Sequence, residues 1–104
     1  MIAWTEELRV KIASNSRAVL SYPGENGYPV ALPLSFTFDP EQHRFALPMP
    51  TGHPAVSDAQ RVSMTLLRYD AQGANERYLP FYGQLVEEGD TRYFIPARVV
   101  IRRR

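Results

Sequence analysis

Asn26-Gly27-Tyr28-Pro29-Val30-Ala31-Leu32-Pro33-Leu34-Ser35-Phe36-Thr37-Phe38 joins a tight-turn dipeptide to a long two-faced strand. Asn-Gly tolerates the positive φ angles that a hairpin turn requires. Beyond the turn, Val30, Leu32, Leu34, Phe36 and Phe38 fall on one face at period two, which predicts a strand with its apolar side on a core. The other face carries Pro29, Ala31, Pro33, Ser35 and Thr37. A solvated strand face usually bears charge, so this small or polar face suits a flat ligand or a second subunit. Pro29 and Pro33 have no N–H to give a ladder, which predicts that their strand lies at a sheet edge or opening.

Working toward the N-terminus, Ala18 to Tyr22 predicts the strand that pairs through this turn, and Trp4, Leu8 and Ile12 repeat at helical spacing over Ile2 to Ala13. Those three residues are expected in a core or interface. Toward the C-terminus, Arg44 to Leu47, Arg61 to Tyr69, Arg77 to Glu87 and Thr91 to Ile95 read as further strands separated by polar turns. Pro96 to Ile101 reads as a short added strand or a packed tail. The prolines and glycine of residues 48–54 interrupt the pattern, and Pro54 suits the first position of a single helical turn through Ala59. The expectation is a mainly β protein: a six-stranded antiparallel split β-barrel with an N-terminal helix and a short inserted helical turn. One domain over residues 1–104 is expected, with the helix in 1–15, the barrel in 17–98 and a basic tail in 99–104.

The size agrees with a single core, since a chain of 104 residues folds to about 6,000 Å² of surface from about 17,000 Å² unfolded. Cysteine is absent, which excludes disulfides, thiolate metal sites and a cysteine nucleophile. His43, read as an exposed turn residue, and His53 are the only histidines and have no acidic cluster beside them in sequence, so no metal site is expected. Neither Ser35 nor Ser63 stands in a nucleophile-elbow sequence, which leaves hydrolase chemistry without local support. The net charge is +1. Arg102, Arg103 and Arg104 end the sequence, but no basic stripe with interleaved aromatics accompanies them, so nucleic acid is not the expected partner. No apolar run reaches membrane-span length, and Glu6 and Glu7 stand where a secretory signal would be basic and then apolar; the expected setting is the cytoplasm, away from membranes.

Gly27-x-Pro29 followed by Leu34-Ser35-Phe36, then Arg61-Val62-Ser63-Met64-Thr65, then Arg77-Tyr78-Leu79 leading to Gly83-Gln84-Leu85-Val86, resembles the pyridoxamine 5'-phosphate oxidase-like FMN-binding split-barrel family. The likeness runs from about Arg17 to Arg98 and rests on the order and spacing of short motifs. Members are typically homodimers that hold FMN, or in some cases a deazaflavin or haem, in clefts between subunits. The resemblance implies an FMN-binding oxidoreductase with Leu34, Ser35, Phe36 and Thr37 beside the flavin, Leu47, Met49 and Thr51 flanking it, His53 near its phosphate, and Tyr78 at a polar ring contact. It also sets the departures. Leu32, Pro54 and Ala55 stand where the family usually has basic phosphate ligands, which opens the alternative of a cofactor-less split-barrel dimer acting as a binding or structural module. The longer C-terminal region that supplies substrate contacts in the oxidase proper is missing, so a true pyridoxamine-phosphate oxidase is not expected. Catalytic residues, substrate and electron donor are not specified by these motifs.

Overall fold

The computed structural model describes residues 2–15, 17–25, 27–49, 52–68 and 77–100; the side chains of Arg68, Arg77 and Tyr78 fall outside that description, as does the Arg102 to Arg104 tail. Helix α1 (Glu6–Ala13) is followed by strands β1 (Arg17–Pro23), β2 (Pro29–Ser35), β3 (Thr37–Asp39), β4 (Arg44–Leu47), β5 (Val62–Arg68), β6 (Arg77–Glu88) and β7 (Thr91–Val99). All seven strands join one sheet in the order β2-β1-β5-β6-β7-β4-β3, and every pairing is antiparallel.

That order forces the sheet to curl. β2 and β3 are its two edges, yet only Phe36 separates them in the chain. In a flat sheet six inter-strand gaps would hold the edges about 28 Å apart, whereas Ser35 and Thr37 can be at most about 7 Å apart along the backbone. The sheet therefore rolls until its edges meet at Phe36, giving a split-barrel-like β fold with one N-terminal helix. The expected long second strand is thus two strands, and the count is seven where six were expected. Alternation hides the break, because Phe36 and Phe38 keep the inward parity of Leu34; what changes is the partner, from β1 for Ser35 to β4 for Thr37.

The opening turn behaves as the sequence requires, with Gly27 at φ 78° between paired Pro23 and Pro29. Burial follows the predicted parity: Val30, Leu32, Leu34, Phe36 and Phe38 face inward, while Pro29, Ala31, Pro33, Ser35 and Thr37 are exposed. Phe45 is the hub of the core. It is fully buried, with ring centroids at 4.9 Å from Phe38, 5.3 Å from Phe81, 5.4 Å from Phe36 and 6.2 Å from Phe94.

Helix α1 begins later than the periodicity suggests. Thr5 is its N-cap, accepting from the backbone N–H of Leu8 at 3.2 Å, so residues 2–4 precede the helix. Leu8 and Ile12 are buried against the sheet, while Trp4 is half-buried and stacks on His43 at 4.4 Å and on Phe38 at 5.6 Å. His43 was expected to be exposed; it is half-buried beneath Trp4 and adopts φ 54°, a turn conformation that brings its ring back over the barrel.

The segment from Pro54 to Ala59 is not a helical turn. Val56 forms an antiparallel bridge with Gly24, and the Ser57 N–H donates to the Pro23 carbonyl at 2.9 Å. Those contacts need extended backbone at residue 56, and the open end of β1 supplies the partner that a lone helical turn would have lacked. At the other terminus β7 extends through Pro96 to Val99, and the Val100 N–H donates to the Pro80 carbonyl at 3.0 Å, so the residues after Ile95 lengthen the last strand.

Candidate functional site

The positions expected to hold a cofactor separate into two groups. Leu34 and Leu47 have their side chains in the core, and Phe36 and Met49 are half-buried against it. A ligand could reach these residues mainly through backbone or side-chain edges. Ser35 and Thr37 are exposed and share the outward parity on either side of the seam at Phe36. Thr51 lies outside the described residues; Tyr78 pairs with Leu67 through its backbone, and its side chain is likewise outside them.

Register adds a residue that the sequence reading did not include. Arg17 lies directly opposite Ser35 across the β1–β2 ladder. Cross-strand partners share a face with Cβ atoms about 5 Å apart, so an exposed arginine and an exposed serine share that face. Arg17 forms no ion pair among the described residues. A guanidinium on this face suits carboxylate or phosphate oxygens. The signal was faint, since an arginine at a strand's first residue acquires a neighbour only when the register is known.

The opposite happens at His53. Its Nε2 lies 3.0 Å from Nη1 of Arg92, and its Nδ1 lies 3.0 Å from the Pro54 carbonyl. Arginine can only donate, so Nε2 accepts and Nδ1 carries the proton that it donates to Pro54. The same carbonyl accepts from the Tyr22 hydroxyl at 2.6 Å, and Nε of Arg92 pairs with Glu87 at 2.8 Å. Burial pushes the Tyr22 phenol above its ordinary range, with the positive charge of Arg92 pulling the other way. Together these groups pin the 53–57 loop to the ends of β1, β6 and β7. Both ring nitrogens of His53 are engaged, so its present role is to hold the loop. Arg92 is the cation this loop gains from the fold, and no local sequence signal ties it to residue 53.

The outward face and the loop differ in the polar groups they leave available. Pro33, Ser35 and Thr37 give a small, exposed wall with two hydroxyls and a facing guanidinium, whereas the loop's cation is shared between Glu87 and His53. Among the described residues no group of three or more His, Asp or Glu stands together as metal ligands, and no helix is long and apolar enough to cross a membrane. A comparison with protein-family models finds no match, and a search of curated proteins finds none either.

Proposed function

We propose that this chain is a cytoplasmic, homodimeric split-barrel protein that binds a flavin nucleotide, FMN, against the outward face of β2 and β3 and serves as an oxidoreductase. The observation that carries the reading is Arg17 opposite Ser35 on an exposed face of small residues. An isoalloxazine ring needs a flat wall and donors at its polar edge. Pro33 supports the first, and the Ser35 and Thr37 hydroxyls support the second. The Arg17 guanidinium suits either the phosphate or the ring edge on which charge develops during reduction. Bound FMN would supply the redox chemistry, and the chain's own residues would bind and orient it.

Dimerisation draws support from the same side of the sheet. Ala31, Ser21 and Ser63 form one cross-strand row, and Pro33, Val19 and Thr65 form the next. Both rows are free of charge, and the centre of a protein interface is depleted in charged residues. A second reading, a cofactor-less dimer acting as a binding or structural module, is favoured by the engagement of both His53 ring nitrogens within the protein.

The test is the visible spectrum of freshly purified protein, followed by titration with FMN and sedimentation equilibrium. Saturable quenching of FMN by a dimer is the expected result. A colourless dimer that leaves FMN fluorescence unchanged selects the second reading, and a monomer contradicts both.

A further inference from the structure

Between β6 and β7 the register slips. Tyr82 faces Arg98, but Gly83 faces Pro96, so Ala97 is an extra residue in β7. A bulge of this kind bends the strand and re-aims the side chains around it. The backbones close tightly at that point: a Cβ on Gly83 would come within 2.0 Å of the Ile95 carbonyl oxygen. Beside the bulge lies an open groove of about 700 Å³, bounded by the start of β5, the middle of β6 and the end of β7. That volume lies within the range of small-molecule sites, roughly 300–1,000 Å³.

The chemistry of the groove is one-sided. Arg61 and Arg98 line it together with Gln60, Gln84 and Ser63, and among the described residues no carboxylate does. Neither arginine forms an ion pair among the described residues. The nearby acid, Asp58, is occupied in its own turn, where its side chain accepts from the Gln60 backbone N–H at 3.0 Å and its carbonyl accepts from Arg61 at 3.2 Å. Arg98 lies over the Tyr82 ring at 4.6 Å, which orders its guanidinium without neutralising it. Tyr82, Ile95 and Ala97 add apolar wall.

We propose that this groove is a binding site for a small anion, a carboxylate or phosphate carried on a flat apolar body. The arginines take the anionic group, the amides and Ser63 complete its hydrogen bonds, and Tyr82 and Ile95 cover the apolar part. Neither Arg17 nor any residue from Pro33 to Thr37 lines the groove, while Ser63 belongs both to it and to the row proposed to meet a second copy.

Phenyl phosphate, with phenol as its neutral counterpart, tests the proposal by isothermal titration and by amide-shift mapping in the absence of flavin. Saturable binding of phenyl phosphate is expected, with shifts centred on residues 60–63, 82–84 and 95–98. Arg61→Gln and Arg98→Gln should each weaken it about tenfold or more, phenol should bind at least about tenfold more weakly, and Arg9→Gln on the helix should change nothing. Both groove arginines are exposed, and unchanged melting temperatures will show that the variants remain folded. Failure to saturate, affinity in both groove variants equal to that of the parent, or shifts centred instead on Arg17 and Ser35 overturns the site.

Discussion

Arg92 donates to Nε2 of His53 across 3.0 Å, so that nitrogen accepts and Nδ1 donates to the Pro54 carbonyl. Nitrogen NMR on the His53 ring should therefore report a protonated Nδ1 and an accepting Nε2. Arg92→Met keeps the aliphatic stem and removes the donor, so the ring should redistribute toward the Nε2–H form and stability should fall by about 1 kcal/mol. An unchanged tautomer in Arg92→Met would show that another group sets the ring.

Tyr22 reaches the same carbonyl, and its burial gives a defined pH dependence. Its folded pKa is raised above the unfolded value of about 10, so the neutral phenol's contribution is complete below that value. It is lost as pH rises through the unfolded and then the folded pKa. Tyr22→Phe should be less stable than the parent by about 1 kcal/mol near neutral pH. In denaturant unfolding at a series of pH values that gap should narrow above about pH 10; a gap that stays constant into strongly alkaline solution contradicts the assignment.

Gly83 is required by space. Its absent Cβ would sit 2.0 Å from the Ile95 oxygen and 2.9 Å from the Pro96 Cα, and both are backbone atoms that cannot rotate away. Gly83→Ala should cost about 3 kcal/mol or more, read as a shift in the denaturation midpoint. A loss below about 1 kcal/mol would mean that the two strands separate more easily than the bulge geometry indicates.

Phe45 carries the aromatic hub, so Phe45→Ala should lose about 3–5 kcal/mol. Phe36 touches only the edge of that hub and is half-buried, and Phe36→Ala should lose less. Urea unfolding of the two variants gives the order directly, and a reversed order contradicts the placement of Phe45 at the centre.

The legible and illegible parts of the fold divide along a physical line. Alternation from Val30 to Phe38 revealed which side faces the core, because burial parity is written in side-chain type. It could not reveal the break at Phe36, because a change of hydrogen-bonding partner leaves parity untouched. Pro54 suggested a helical turn on local preference, and the open end of β1 overrode it by offering Val56 a bridge. Arg17 and Arg98 draw their meaning from register, opposite Ser35 and across from Tyr82, and Arg92 draws its own from the loop that packs beside it at His53. Such long-range pairings are set by how the sheet closes, and nothing in the flanking residues encodes them.

Titration of isotopically labelled protein with FMN, followed through the backbone amides and the arginine side chains, tests the flavin proposal most directly. The account predicts saturable shifts centred on Ser35, Thr37 and the Arg17 guanidinium, with the His53 ring and its Arg92 contact left in place. Shifts absent from that face, or confined to the groove at Arg61 and Arg98, would contradict it.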